Sequence, residues 1–197
     1  MLTKTQLEIM KVFVSKITER FSIKQISEIL KKPYPLIHRS IKSLIVEKFI
    51  IKDKQNFLSL NYKKNHSTIS YVESLRKDSF LRKNKTITLF VNDALKKIKA
   101  DFFILLIFGS AVDKQKPRDV DILMIFKNSN KNREIETILN NIASNFSKDF
   151  DINVLTVESV YEMLSKRDNK NLMNETLNKH ILIFGSENYY RLLENAR

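Results

Sequence analysis

The run Phe102 to Phe108 is apolar at all seven positions and stops at a glycine. That is far short of the roughly 18 to 20 residues needed to cross a bilayer, so the run reads as a strand that must be covered on both faces. A second strand-like piece spans Val120 to Phe126, and a third spans Ile152 to Val157. A helical rhythm runs between them from Asn132 to Phe146, and another strand-like piece spans Ile181 to Phe184. Strands interleaved with helices predict a sheet with helices packed over it in the C-terminal half.

The first half follows a different rhythm. Leu7, Met10, Phe13, Val14 and Ile17 recur at helical spacing between Thr3 and Arg20. Ser22 is placed to cap a second helix that buries Ile23, Ile26, Ile29 and Leu30 and ends at Lys31-Lys32-Pro33. A third helix begins near Pro35, where a missing backbone N–H costs nothing, and buries Ile37, Ile41, Leu44 and Ile45. Phe49-Ile50-Ile51 and Phe57-Leu58-Ser59-Leu60 then form two strands around the polar turn Asp53 to Asn56. Residues 62 to 85 are polar and basic without clear period, which suggests a connector or linking helix. A helical pattern returns from Thr86 with Phe90, Ala94, Leu95 and Ile98. The expected organisation is therefore a domain over residues 1–65, a basic connector over 66–85 and a second domain over 86–197.

Three short helices followed by a basic hairpin, over residues 3 to 62, resemble a winged helix-turn-helix domain. The resemblance implies that the third helix enters the major groove of duplex DNA and that the hairpin touches the backbone. By position, Tyr34, His38, Arg39 and Lys42 would face the groove, with Lys52 and Lys54 on the wing. A homodimer is compatible with this resemblance.

The charge is partitioned in the same sense. The chain carries a formal net charge of +13. Residues 1 to 65 hold 14 Lys+Arg against 5 Asp+Glu, residues 66 to 100 hold 8 against 3, and residues 101 to 197 hold 13 against 14. All the excess positive charge lies in the first half, which suggests that this half meets a polyanion while the other does something else. With no Cys, disulfide scaffolds, thiol catalysis and Cys-zinc sites are excluded. His38, His66 and His180 lack ligand spacing and read as surface or packing residues. Neither a membrane span nor a secretory leader is expected, and a cytoplasmic location is the default.

The chain has only two glycines, and each is followed by serine in the same pentapeptide, Leu-Ile-Phe-Gly-Ser, at 106–110 and 182–186. The second copy reads as a strand end and helix cap at Gly185-Ser186. The first is followed by Asp119-Val120-Asp121 at the start of a strand, so two carboxylates share one face about 7 Å apart along the backbone. Gly109-Ser110 at a helix start offers backbone N–H groups and a hydroxyl to phosphate oxygens. Paired carboxylates can hold two Mg²⁺ or Mn²⁺ ions, which serve both oxygens of a phosphoryl displacement. A third carboxylate, Asp151, can complete the site and accept a proton from an attacking hydroxyl. Asp149 and Asn153 share its strand face, and Asp149 is the alternative.

The order strand, Gly109-Ser110, helix, Asp119-x-Asp121 strand, helix, Asp151 strand resembles a minimal nucleotidyltransferase of the DNA polymerase β superfamily, over approximately residues 86 to 190. The fold implied is α+β or α/β in two domains: the winged helix-turn-helix, then a small mixed sheet flanked by helices. The resemblance assigns Gly109 and Ser110 to a nucleoside triphosphate and Asp119, Asp121 and Asp151 to two metal ions. The implied reaction moves an NMP, AMP from ATP being favoured, to a hydroxyl with loss of pyrophosphate. The loop from Ser110 to Asp119 is shorter than the family's usual spacing. Asp113-Lys114 stands where an Arg-Gly pair is common, with Lys114, Lys116 and Arg118 placed to offset the acid. Only 40 residues follow the third strand, which points to a macromolecular acceptor, a protein hydroxyl or an RNA end. The competing reading is a winged-helix regulator or antitoxin whose second domain binds nucleotide or dimerises without turnover.

Overall fold

The computed structural model describes residues 2–100, 102–113, 117–127, 132–166 and 171–196. It is a mixed α+β molecule with ten helices, a two-stranded sheet and a four-stranded sheet among the described residues. Among those residues, no helix is long and apolar enough to cross a membrane.

Helix α1 (Lys4–Ser15) starts at a capping box in which the Thr3 hydroxyl accepts from Gln6 N and the Gln6 side chain accepts from Thr3 N. Gln6 Nε2 also donates to Ser43 Oγ at 3.0 Å, tying the helix start to α3. The same reciprocal cap, Ser22 with Gln25, opens α2 (Ile23–Leu30), which closes with Lys31 in the left-handed region at φ 51°. Helix α3 (Tyr34–Val46) carries Pro35 in its first turn. Ile9, Phe13, Ile26, Ile37, Ile41 and Leu44 from the three helices are buried in one core. Strands β1 (Ile50–Lys52) and β2 (Leu58–Leu60) pair antiparallel, and Phe21 exchanges two 2.9 Å backbone hydrogen bonds with Leu58. Helix α1 ends five residues before the expected Arg20. Ile17 N instead donates to Leu177 O at 3.1 Å, so a tertiary contact outbids the helical period.

The segment expected as a connector or linking helix is α4 (His66–Lys83), at 18 residues the longest helix among those described. It is followed at Asn84 by α5 (Lys85–Lys97). Helix α4 buries Ile69, Val72 and Phe80 together with one acid, Glu73, and its other positions are largely polar, so no continuous apolar stripe marks it. Glu73, 1% exposed, accepts from Arg76 Nη1 at 2.6 Å and from the Tyr190 hydroxyl at 2.7 Å, and His180 Nε2 lies 3.3 Å away. Arg76 Nη2 donates to His180 O at 2.7 Å, and His180 Nδ1 lies 2.7 Å from Thr176 O.

The large sheet is built from β3 (Phe103–Phe108), β4 (Asp119–Phe126), β5 (Asp149–Thr156) and β6 (His180–Phe184), in the order β5-β4-β3-β6. Strand β3 pairs antiparallel with β4 and β6, and β4 pairs parallel with β5. Between the strands lie α6 (Ser110–Asp113), α7 (Asn132–Ala143), α8 (Val157–Ser165) and α9 (Leu172–Thr176), and α10 (Ser186–Ala196) follows β6. One sheet face, with Leu105, Ile107, Ile122 and Met124, packs with α5 and α7. The other, with Ile104, Leu106, Leu123 and Ile125, joins α8, α9 and α10 in the same core that holds the N-terminal helices. The boundary expected at 65 is thus crossed by a continuous core, and by Asn178, which donates to Thr18 Oγ1 at 2.7 Å and accepts from Thr18 N at 3.0 Å. Strand β5 begins three residues before the expected Ile152, because Phe150 stacks on Phe90 at 4.2 Å and the parallel ladder extends back to Asp149.

Burial alone would raise the Glu73 carboxyl. The Arg76 guanidinium and the hydrogen bonds from His180 and Tyr190 outweigh it and hold the group below its ordinary value of 4.5. A depressed carboxyl contributes stability that is complete above its ordinary value and is lost as pH falls through the lower folded one. Glu73→Gln is therefore expected to cost about 3 kcal/mol at pH 7. The deficit should shrink below pH 4.5, as measured by urea unfolding across pH.

Candidate functional site

Antiparallel pairing brings the C-terminal end of β3 beside the N-terminal end of β4, the ladder closing with Phe108 opposite Asp121. The next residue, Gly109, has φ +69°, and a Cβ there would overlap the Asp121 carboxylate. Two demands therefore select glycine at this bend: the left-handed backbone and the room needed by the acid. Gly109 N donates to Lys179 O at 3.3 Å, which ties the bend to the chain just before β6.

Parallel pairing supplies the remaining carboxylates. Asp119 lies opposite Asp149 and Asp121 opposite Asp151, in register, so all four project from one face of the sheet. This is also the face of Leu123 and Ile125, beneath α8 and α9. Asp119, Asp149 and Asp151 are exposed, and Asp121 is half-buried. Ser110 Oγ donates to Asp119 Oδ1 across 3.4 Å, joining the bend to the first acid. The five predicted residues Gly109, Ser110, Asp119, Asp121 and Asp151 thus come together at one end of β3, β4 and β5.

Burial pushes the Asp121 carboxyl above its ordinary value of 3.8, and the charges of Asp119, Asp151 and Glu175 raise it further. The Asp151 charge reaches Asp121 from directly across the parallel ladder. Glu175, on α9, has no signature in the sequence, because only the packing of α9 over the sheet brings it near. Among the described residues none of these five acids forms an ion pair. Nor is any group of three or more His, Cys, Asp or Glu among them drawn into a metal-holding cluster. An all-carboxylate set of hard oxygens is nevertheless the chemistry that accepts a hard divalent cation such as Mg²⁺ or Mn²⁺.

Two details differ from the sequence-based expectation. The helix after Gly109-Ser110 is a single turn, α6, with too few aligned peptides for an appreciable dipole. Asp113, expected to oppose a phosphate, pairs with Lys179 at 3.2 Å. Lys114 and Lys116 lie outside the described residues, while Arg118 is exposed beside the acids. The second Gly-Ser copy is excluded by topology. Strand β6 runs antiparallel to β3, so Gly185 (φ +76°) sits at the opposite end of the sheet, against Phe103 and Ile104, where it lets the chain turn into α10.

The residues expected to touch nucleic acid lie together at the other end of the chain. Tyr34, His38, Arg39 and Lys42 are exposed on α3, with Tyr34 and His38 stacked at 6.0 Å. Lys52 and Lys54 are exposed on the β1–β2 hairpin. The Asp53 carboxylate accepts from Gln55 N and Phe57 N, both at 2.9 Å, and so shapes the turn between the strands.

Comparison with known proteins gave no matching family model, no matching curated protein and no matching solved structure.

A carboxyl whose folded value is raised weakens the fold once pH rises through that value, and is neutral in its effect below its ordinary value. Asp121→Asn is therefore expected to raise Tm at pH 7 by up to about 2 °C, solvent screening keeping the gain small. The gain should fade as pH falls from the raised folded value toward 3.8 and be absent below it. Thermal melts of both proteins across pH read it directly.

Proposed function

We propose that this protein is a nucleotidyltransferase of the DNA polymerase β type that moves an NMP from a nucleoside triphosphate to a hydroxyl, with an N-terminal winged helix-turn-helix that engages nucleic acid. One observation carries the reading: Asp119, Asp121 and Asp151 share a sheet face beside a glycine whose missing Cβ makes room for Asp121. Carboxylates that share a face without an ion-pair partner among the described residues, and that raise the Asp121 carboxyl by their charge, have no evident structural purpose. The pairing of Asp113 with Lys179 also removes the one acid that stood against a triphosphate at this bend.

Asp119, Asp121 and Asp151 would hold two Mg²⁺ or Mn²⁺ ions. Such a pair, when bound, offsets the charge on the phosphoryl oxygens undergoing displacement. The chain's own residues perform the remaining tasks. The Ser110 hydroxyl, on the turn after Gly109, serves the triphosphate oxygens. The acceptor hydroxyl oxygen forms a bond to the α-phosphorus, the bond from that phosphorus to the bridging oxygen breaks, and pyrophosphate leaves with the bonding pair. The hydroxyl proton passes to an Asp151 carboxylate oxygen. Tyr34, His38, Arg39 and Lys42 on α3 and Lys52 and Lys54 on the hairpin carry the duplex contact.

Incubation with an α-labelled nucleoside triphosphate and Mg²⁺ or Mn²⁺, in a lysate supplying acceptors, should transfer label to protein or RNA. Asp119→Asn or Asp121→Asn should each lower the rate by roughly a hundredfold or more; a variant as fast as the parent refutes the assignment. Duplex DNA binding should weaken steeply with salt. Arg39→Ala with Lys42→Ala should flatten the log–log slope by about 0.9 for each phosphate no longer neutralised, and an unchanged slope removes α3 from the interface.

A further inference from the structure

Two cavities open along α4 and its junction with α5, and both are lined by Lys83 and Asn84. The larger, about 720 Å³, lies between α1, α4, α6 and β6 and carries Lys11, Arg76 and Lys83. The smaller, about 340 Å³, continues from Lys83 past Arg82 and Lys85 to Lys148. The only carboxylate lining either one, among the described residues, is Asp113, already paired with Lys179 at 3.2 Å. Arg76 is committed to Glu73, and Lys148 donates to Pro117 O at 2.8 Å. Lys11, Arg82, Lys83 and Lys85 have no ion pair among the described residues. Lys85 moreover opens α5, whose first turn contains no acid, so its charge meets the positive end of that helix. The fold thus tolerates a concentration of uncompensated cations that an anion would relieve.

We infer that these adjoining cavities form a groove for a single-stranded nucleic acid. Five cations without a carboxylate partner among the described residues, Lys11, Arg82, Lys83, Lys85 and Lys148, are strung along two cavities in series and match a repeating backbone anion better than the one compact charge of a free nucleotide. Phe80 and Ile181 form the floor of the larger cavity and are themselves buried in the core, so the contact there falls to the cations at its rim. Its wall also includes Ala111 and Val112, in the turn directly after Gly109-Ser110. A strand in this cavity reaches the bend at the end of β3; naming its terminal hydroxyl as the acceptor rests on the nucleotidyl-transfer reading, and the binding itself does not.

The test measures binding of labelled RNA and DNA strands of about 12 nucleotides to the full chain by fluorescence anisotropy across salt. No nucleoside triphosphate or divalent ion is present, so the result is independent of whether transfer occurs. The triple variant Arg82→Ala, Lys83→Ala, Lys85→Ala alters exposed residues only. It should bind at least about tenfold more weakly at low salt, with a log–log slope smaller by about 2. A charge-matched control at the far end of α5, Lys96→Ala, Lys97→Ala, Lys99→Ala, should stay within roughly twofold of the parent. Binding of either strand type with this pattern supports the groove, and the ratio of the two arms shows whether a 2′-hydroxyl is read. Equal affinity of the groove variant and the parent, an equal loss in the control, or no strand binding at low salt overturns it.

Discussion

The ladder between β3 and β4 ends where Phe108 faces Asp121, and the candidate site is a consequence of that register. Slipping the pairing by one residue would turn Asp121 toward Ile122's side of the sheet, into the core formed with α5 and α7. The apolar alternation prevents this. Ile122 and Met124 are fully buried on one face, Leu123 and Ile125 on the other, and only the strand's first residues are free to be acidic. Gly109 is the counterpart of this constraint. It is the one residue type that turns the chain there while leaving room for the carboxylate that the register delivers.

The second constraint is that α4 belongs to both halves. It packs on α1 on one side and on β6 and α10 on the other. Glu73 joins Arg76, His180 and Tyr190 in a network closed to solvent, in which burial and the Glu73 charge push the Tyr190 hydroxyl well above its ordinary value. A charge network of this kind contributes little over apolar packing when intact, yet it is costly to break, so it specifies how α4 docks more than it adds stability. That docking brings the basic end of α4 beside α6, and so places the cationic cavities next to the bend at the end of β3.

Much of this was legible in advance for local reasons. Thr3 and Ser22 each precede a Gln by three residues, and both form capping boxes. Pro35 and the buried positions of α3 follow from spacing alone. The acids at 119 and 121 share a face because a strand alternates with period two. The stretch that reads as a connector or linking helix is α4, where Ile69, Val72 and Phe80 are buried beside Glu73 and Arg76; the partners of those two charges, His180 and Tyr190, lie more than a hundred residues away, so no local period marks how the helix docks. The same holds for Glu175 and Lys179, which reach the site only through packing and through a backbone bond to Gly109.

The amino-acid sequence by itself determined the elements and the chemical character of their ends: apolar strands that open on aspartate or close on glycine, amphipathic helices with their caps, and the basic first half. Along the chain, two identical Gly-Ser pieces differ only in their downstream residues, aspartates after one and tyrosines after the other. Their placement was decided by tertiary structure, because antiparallel pairing of β3 with β6 sends one to the acids and the other to the far end of the sheet. The partner of Asp121 was likewise decided by the parallel register of β4 and β5, since side chains on separate strands meet only when backbone hydrogen bonds align them.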